Sequence, residues 1–123
     1  MKIKSDWMWF VYLLSDGSSK TYVGMTNDIE KRYRTHKLHL SACAKYTKKW
    51  TNCILLAYFS EIPDKRTALS LEWYCKQSRR KHGSKLMGFI RGVIHDKFKM
   101  LRLNVYLKEH GMIRDVQKVL DAG

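Results

Sequence analysis

The sequence predicts an α+β fold: a small three-stranded, mainly antiparallel sheet flanked by helices, with a helical C-terminal extension. Three observations predict it. Apolar runs of strand length, rich in aromatic and β-branched residues, occur at 7–14, 20–25 and 52–59. Segments with helix-start signals and helical spacing follow the second and third of these runs. The resulting order is β-β-α-β-α-α, without an internal repeat, a low-complexity segment or a Pro/Gly-rich linker. The 123 residues are therefore expected to form one domain, with a core at about 7–82 and a helical part at 85–123.

Each element has a local reason. The first run ends at SDGSS, a turn sequence, so the first two strands should form a hairpin around Gly17. A three-residue loop, Asp16-Gly17-Ser18, has the odd length that lets Tyr12 and Tyr22 share a face of the sheet. Asn27 is placed to cap the first helix, with Glu30 three residues on, and that helix should reach about Leu40. Residues 41–51 read as a polar, basic connection. Pro63 and Asp64 start a second helix that runs to about Arg80, and Gly83 breaks it. The segment 86–108 reads as helical with Gly88 and Gly92 as weak points, and 113–120 as a last short helix.

Composition limits the function classes. A net charge of +13 makes a polyanion, nucleic acid or an anionic surface, the first candidate partner. A hydrophobic content of 45% excludes a disordered basic tail. Cys43, Cys53 and Cys75 are odd in number and form no CxxC pair, which argues against a disulfide framework and against zinc. Reduced thiols and the lack of a signal-peptide pattern predict an intracellular location. No apolar run approaches the ~20 residues that span a bilayer.

Two helices carry polar residues where the core should be. On a helical wheel Ile29, Tyr33 and Leu40 form the inward stripe of the first helix. His36 falls inside that stripe and Arg32 on its edge, while Lys31, Arg34 and Thr35 face outward. In the second helix Glu72 falls among Ala68, Leu69, Leu71 and Cys75. A buried carboxylate needs a cation, a metal or hydrogen bonds. One reading is an ion pair of Glu72 with Arg32 and a satisfied, half-buried His36. The other is a site: arginine can hold a phosphate, a carboxylate can hold Mg²⁺ or Mn²⁺, and histidine can move a proton near neutral pH. Tyr12 and Tyr22 are packing residues on the first reading, and on the second they orient or deprotonate a water.

The order and spacing of these residues resemble the GIY-YIG endonuclease superfamily. FVY at 10–12 and YVG at 22–24, with Tyr22 ten positions after Tyr12, match its two-part signature. Arg32 and His36 match its R-x3-H helix, and Glu72 in ALSLEWYCKQ stands where that family has its metal-binding glutamate. The stretch KKWTNCILLAYFSEIPDKRTALSLEW is similar to the structure-selective branch, which includes the catalytic subunit of the eukaryotic branched-DNA nuclease and small stand-alone bacterial relatives. Here Phe10-Val11 replaces Gly-Ile, and the cysteines cannot build the zinc domain of the eukaryotic enzyme. The resemblance implies metal-dependent phosphodiester hydrolysis in DNA, selective for flaps, forks or four-way junctions, in repair, recombination or viral genome processing. It implies one Mg²⁺ or Mn²⁺ on Glu72, Arg32 on a phosphate oxygen, Tyr12 as the base on water, and His36 as proton acceptor or as the orienting group for Tyr12 or Tyr22. Gly24 is expected to permit a close approach of backbone and phosphate.

Substrate grip is assigned to charge. Lys31, Arg34, Lys37, Lys48 and Lys49 on one run, and Arg79, Arg80 and Lys81 on another, are expected to flank a phosphate track. Tyr46 and Trp50 stand among them as stackers for unpaired bases, Trp50 equally as a cap on the core. No base-reading recognition helix is evident, so recognition by shape is expected. A protein partner or a homodimer is compatible with the apolar positions Phe89, Ile90, Val93 and Ile94, which fit the core better. The alternatives are a module of the same fold that binds nucleic acid without cutting it, and a basic structural or membrane-surface protein.

Overall fold

The first hairpin sets the frame. In a computed structural model, which describes residues 8–38, 47–81, 85–98, 101 and 103–122, β1 (Trp9–Ser15) pairs antiparallel with β2 (Thr21–Thr26). The loop has five residues, 16–20, rather than three. The Asp16 carboxylate accepts from the backbone N–H groups of Ser18 and Lys20 at 2.8 and 3.1 Å, and Gly17 takes a φ of 88°. The odd length is kept, so Tyr12 and Tyr22 do share a face. They are diagonal neighbours, since Tyr12 is opposite Gly24 and Leu14 opposite Tyr22.

Helix α1 (Ile29–Lys37) follows directly, capped by Asp28 rather than Asn27; the Asp28 carboxylate accepts from Lys31 N–H at 3.1 Å. Thr26 Oγ1 accepts from the Asp28 N–H at 3.1 Å and fixes that start. The predicted end at Leu40 lies outside the described residues. Thr35, expected on the outer face, is buried, with its hydroxyl bonded back to the Lys31 carbonyl at 2.9 Å. β3 (Ile54–Ile62) pairs with the free edge of β1, and α2 (Lys65–Lys81) is capped by Asp64, whose carboxylate accepts from Thr67 N–H at 2.8 Å.

The C-terminal third differs most from expectation. Instead of one helix over 86–108, α3 (Lys85–Ile90) gives way to two 3-10 turns, at Arg91–Ile94 and Asp96–Phe98. Two further strands follow, β4 (Asn104–Leu107) and β5 (Gly111–Ile113), and then α4 (Val116–Ala122). The sheet has five strands in the order β2-β1-β3-β4-β5, all antiparallel. The reason is tertiary. The NVYL segment carries strand-forming residues, and the outer edge of β3 offers it a ladder that no local signal announces.

The two faces of the sheet are covered unequally. Val11, Leu13, Val23, Ala57, Phe59 and Val105 pack with Ala68, Leu71 and Cys75 of α2 and with Phe89 and Ile90 of α3 in the larger core. A smaller cluster on the other face joins Tyr12, Leu14, Trp50 and Cys53 with Ile29 and Tyr33 of α1. Trp50 is thus a core residue and is not available to stack on bases. Leu69, expected inward, is 50% exposed, and Ile94 is 54% exposed. No helix among the described residues is long and apolar enough to cross a membrane.

Gly92 is the tightest contact between these layers. A Cβ built on it would lie 2.6 Å from Cys75 Sγ and 2.7 Å from Cys75 Cα. Backbone atoms cannot rotate away, so Gly92→Ala must push the 91–94 turn off α2. The expected cost is about 3 kcal/mol, read as a lowered urea midpoint; an unchanged midpoint would show that the layers separate freely.

Candidate functional site

The hairpin and α1 bring Tyr12, Tyr22, Arg32 and His36 together. Tyr12 is 2% exposed and His36 fully buried. The Tyr12 hydroxyl lies 3.0 Å from His36 Nε2 and accepts from Arg32 Nε at 3.3 Å. The tyrosine rings stand 6.3 Å apart, and the Tyr22 ring is 5.5 Å from the imidazole.

The histidine has a second partner that no sequence periodicity reveals. His36 Nδ1 lies 2.7 Å from Thr47 Oγ1, a buried hydroxyl at the start of a short 3-10 turn (Thr47–Lys49). Burial, aided by the Arg32 charge, pulls the imidazole down from 6.5 to about 4, so it is neutral at pH 7. A neutral ring that donates from Nδ1 to Thr47 presents an unprotonated Nε2 to Tyr12, and the phenol then donates its single proton to that nitrogen. Burial pushes the Tyr12 phenol up to about 12; the Arg32 hydrogen bond works against that rise. Tyr22 is raised too, first by burial, with Arg32 lowering it and Glu72 raising it.

A buried neutral histidine links stability to pH. The unfolded chain takes up the proton near 6.5 and the folded chain only near 4, so protonation favours unfolding. The His36 contribution is complete above about 6.5 and is lost as pH falls toward about 4. We expect it to amount to on the order of 2 kcal/mol. Urea unfolding at about pH 7 and about pH 5 should show a smaller acid loss for His36→Gln than for the parent. Equal losses in the two proteins would contradict it.

Gly24 has a packing role that its place in the signature does not announce. A Cβ there would sit 2.5 Å from Tyr12 Cζ and collide with the hydroxyl as well. The missing side chain makes room for the Tyr12 ring from the directly opposite strand.

Glu72 lies on the border of the inward stripe of α2, between fully buried Leu71 and exposed Trp73. Its side chain is 19% exposed and pairs with Lys76, one turn on, at 3.9 Å rather than with Arg32. Burial raises its carboxyl and Lys76 lowers it. Its charge also acts on both Tyr12 and Tyr22, raising the two phenols. Among the described residues there is no group of three or more metal-ligating side chains. A single hard carboxylate, half-buried, fits a cation that keeps most of its shell as water and substrate oxygen, as Mg²⁺ and Mn²⁺ do.

The predicted basic track divides. Lys31, Arg34, Lys37, Lys48, Lys49, Arg80 and Lys81 are exposed. Arg79 is committed to the fold, donating to Thr21 O and Thr21 Oγ1 at 3.0 Å each, and ties the end of α2 to the start of β2. Tyr46 lies outside the described residues.

The chain is 32% identical over 80 residues to a UPF0213 protein of Limosilactobacillus reuteri (strain DSM 20016), covering 64% of this chain and 81% of that one. It is 32% identical over 79 residues to the UPF0213 protein YhbQ of Escherichia coli O1:K1, covering 64% of this chain and 76% of YhbQ. A family model described as the GIY-YIG catalytic domain matches residues 8–86, the stretch from the start of β1 into α3 that holds the two tyrosines, the arginine–histidine helix and the half-buried glutamate. With the signature, the fold and most of the chain in agreement, this protein belongs to the GIY-YIG catalytic-domain family, a family of nucleases.

Proposed function

We propose that this protein is a metal-dependent DNA endonuclease that hydrolyses phosphodiester bonds at branches: flaps, forks or four-way junctions. The observation that carries the reading is the Tyr12 hydroxyl held between Arg32 Nε and His36 Nε2, with the charge of Glu72 acting on the same phenol. A purely structural tyrosine has no need of a half-buried arginine and a buried histidine on one oxygen.

Glu72 would hold one Mg²⁺ or Mn²⁺, which when bound supplies Lewis-acid polarisation of the scissile phosphate. The remaining work belongs to the chain. Arg32 neutralises charge that builds on a non-bridging phosphate oxygen. The attacking water gives a proton to Tyr12 as Tyr12 passes its own to His36 Nε2, so no free phenolate forms at a group whose pKa is about 12. Thr47 Oγ1, by accepting from Nδ1–H, would keep the imidazole in the tautomer whose Nε2 can accept. Water oxygen becomes bonded to phosphorus, the bond to the leaving 3′ oxygen breaks, and solvent supplies that oxygen's proton. Tyr22 lines the approach to Tyr12. Lys31, Arg34 and Lys37 on α1, with Lys48, Lys49, Arg80 and Lys81, hold the backbone. Selectivity for branches rests on the likeness of residues 48–73 to the structure-selective branch.

The test is incubation of labelled flaps, forks, four-way junctions and linear duplex with Mg²⁺, with Mn²⁺ and with EDTA. Cutting near the branch that requires the metal is expected. Binding without metal-dependent cutting of any substrate overturns the enzymatic reading in favour of a binding module, and equal cutting of linear duplex overturns branch selectivity.

A further inference from the structure

One row of directly opposed residues crosses the whole sheet on the face that bears the candidate site: Gly24, Tyr12, Tyr58, Tyr106 and Met112, one from each strand. Tyr12 at one end of the row is buried beneath α1. Beyond it Tyr58 and Tyr106 are stacked, with centroids 4.9 Å apart and planes 17° apart, and Phe10 packs edge-on to Tyr58 at 5.6 Å. Core packing does not account for this stack. Among the described residues, Tyr106 and Phe10 belong to neither apolar cluster, Tyr58 is only at the margin of the smaller one, and Met112 is 46% exposed. Met112 on β5 and Tyr106 on β4 exist in this position only because the C-terminal segment adds two strands to the sheet.

We propose that this row is a stacking platform for unpaired nucleobases of a DNA strand, leading from the open end of the sheet to the candidate site. The inference deepens the nuclease reading above and rests on it. A nucleobase is the ligand that extends a pair of parallel rings, and every base has a face that can do so. Register makes the platform continuous with the site, because Tyr58 is the direct cross-strand neighbour of Tyr12. The charge around the rings favours a base over a phosphate. Tyr58's phenol is pushed up by burial, by Tyr106 and by the negative charge of Glu30. The cationic surface lies on α1 and the 47–49 turn, where a backbone would run. The single strand of a flap or fork is then the part of the substrate that this face reads.

The test is binding measured in EDTA by fluorescence anisotropy, with the intact protein, a labelled oligothymidine of about 15 nucleotides, a duplex of the same length, and an oligouridine. Tyr106→Leu should weaken oligothymidine binding about tenfold and duplex binding less than about twofold. Tyr106→Phe, which keeps the ring, should bind like the parent. Equal weakening on duplex, a Tyr106→Phe defect as large as that of Tyr106→Leu, or no defect in either overturns the platform. Tighter binding of oligouridine than of oligothymidine overturns DNA as its source. Metal-dependent cutting that ignores both Tyr106 variants overturns the platform alone, while ring-dependent strand binding without cutting overturns the enzymatic reading alone.

Discussion

Glu72→Ala is expected to abolish metal-dependent cutting while leaving the fold at least as stable. Loss of the carboxylate proposed to hold the metal removes a contribution of several kcal/mol to the transition state, about a thousandfold or more in rate. Stability should move the other way. The Glu72 carboxyl is half-buried, its ionised form is disfavoured by burial, and its one ion pair is the long contact with Lys76 at 3.9 Å. Such a group contributes little to folding, so alanine is expected to be neutral or slightly stabilising. Cleavage rates with Mg²⁺ and urea midpoints for the two proteins check both halves. A variant that cuts as fast as the parent would sink the site. One that loses activity only because it unfolds would make Glu72 a structural residue. DNA affinity in EDTA should stay within about threefold, because the carboxylate opposes a polyanion rather than holding it.

Tyr12→Phe should lower the rate about a hundredfold or more, the range of a positioned proton-transfer group, and unlike Glu72→Ala it should also cost stability. The phenol joins Arg32 Nε to His36 Nε2, and removing its oxygen takes a partner from two polar groups at once. About 1–3 kcal/mol is the expected penalty. The imidazole should also become easier to protonate once nothing donates to Nε2, so its titration by NMR should move upward from about 4. A variant with full activity would remove Tyr12 from the proton path. One with an unchanged imidazole titration would mean that the phenol does not hold His36 in its present state.

Much of the candidate site was legible because its residues break a pattern. His36 in the inward stripe of α1 and Glu72 beside that of α2 are violations of helical amphipathicity, and periodicity alone exposes them. Thr47 breaks no pattern. It stands in a polar, basic connection, and only the fold places its hydroxyl against His36. The basic residues were equally opaque one by one. Arg79 and Arg80 are adjacent and alike in sequence, yet one is tied to Thr21 and the other faces solvent. Leu69 was misplaced because it is apolar and next to the stripe, although its helix face is exposed.

By itself, the sequence determined the α+β class, the first hairpin, both long helices and the polar residues that intrude on their apolar faces, because those features follow from local spacing and from chemistry at a single position. The tertiary structure decided the rest. Residues 104–113 become strands because the edge of β3 is free to pair, and not from any preference strong enough to read beforehand. Gly24 is glycine because a ring from the opposite strand occupies its side-chain space. The stack of Tyr58 on Tyr106 joins residues forty-eight positions apart, and only the register of the sheet brings them face to face. Cross-strand partners lie far apart along the chain, and a one-residue slip in register would send each of them to the other face.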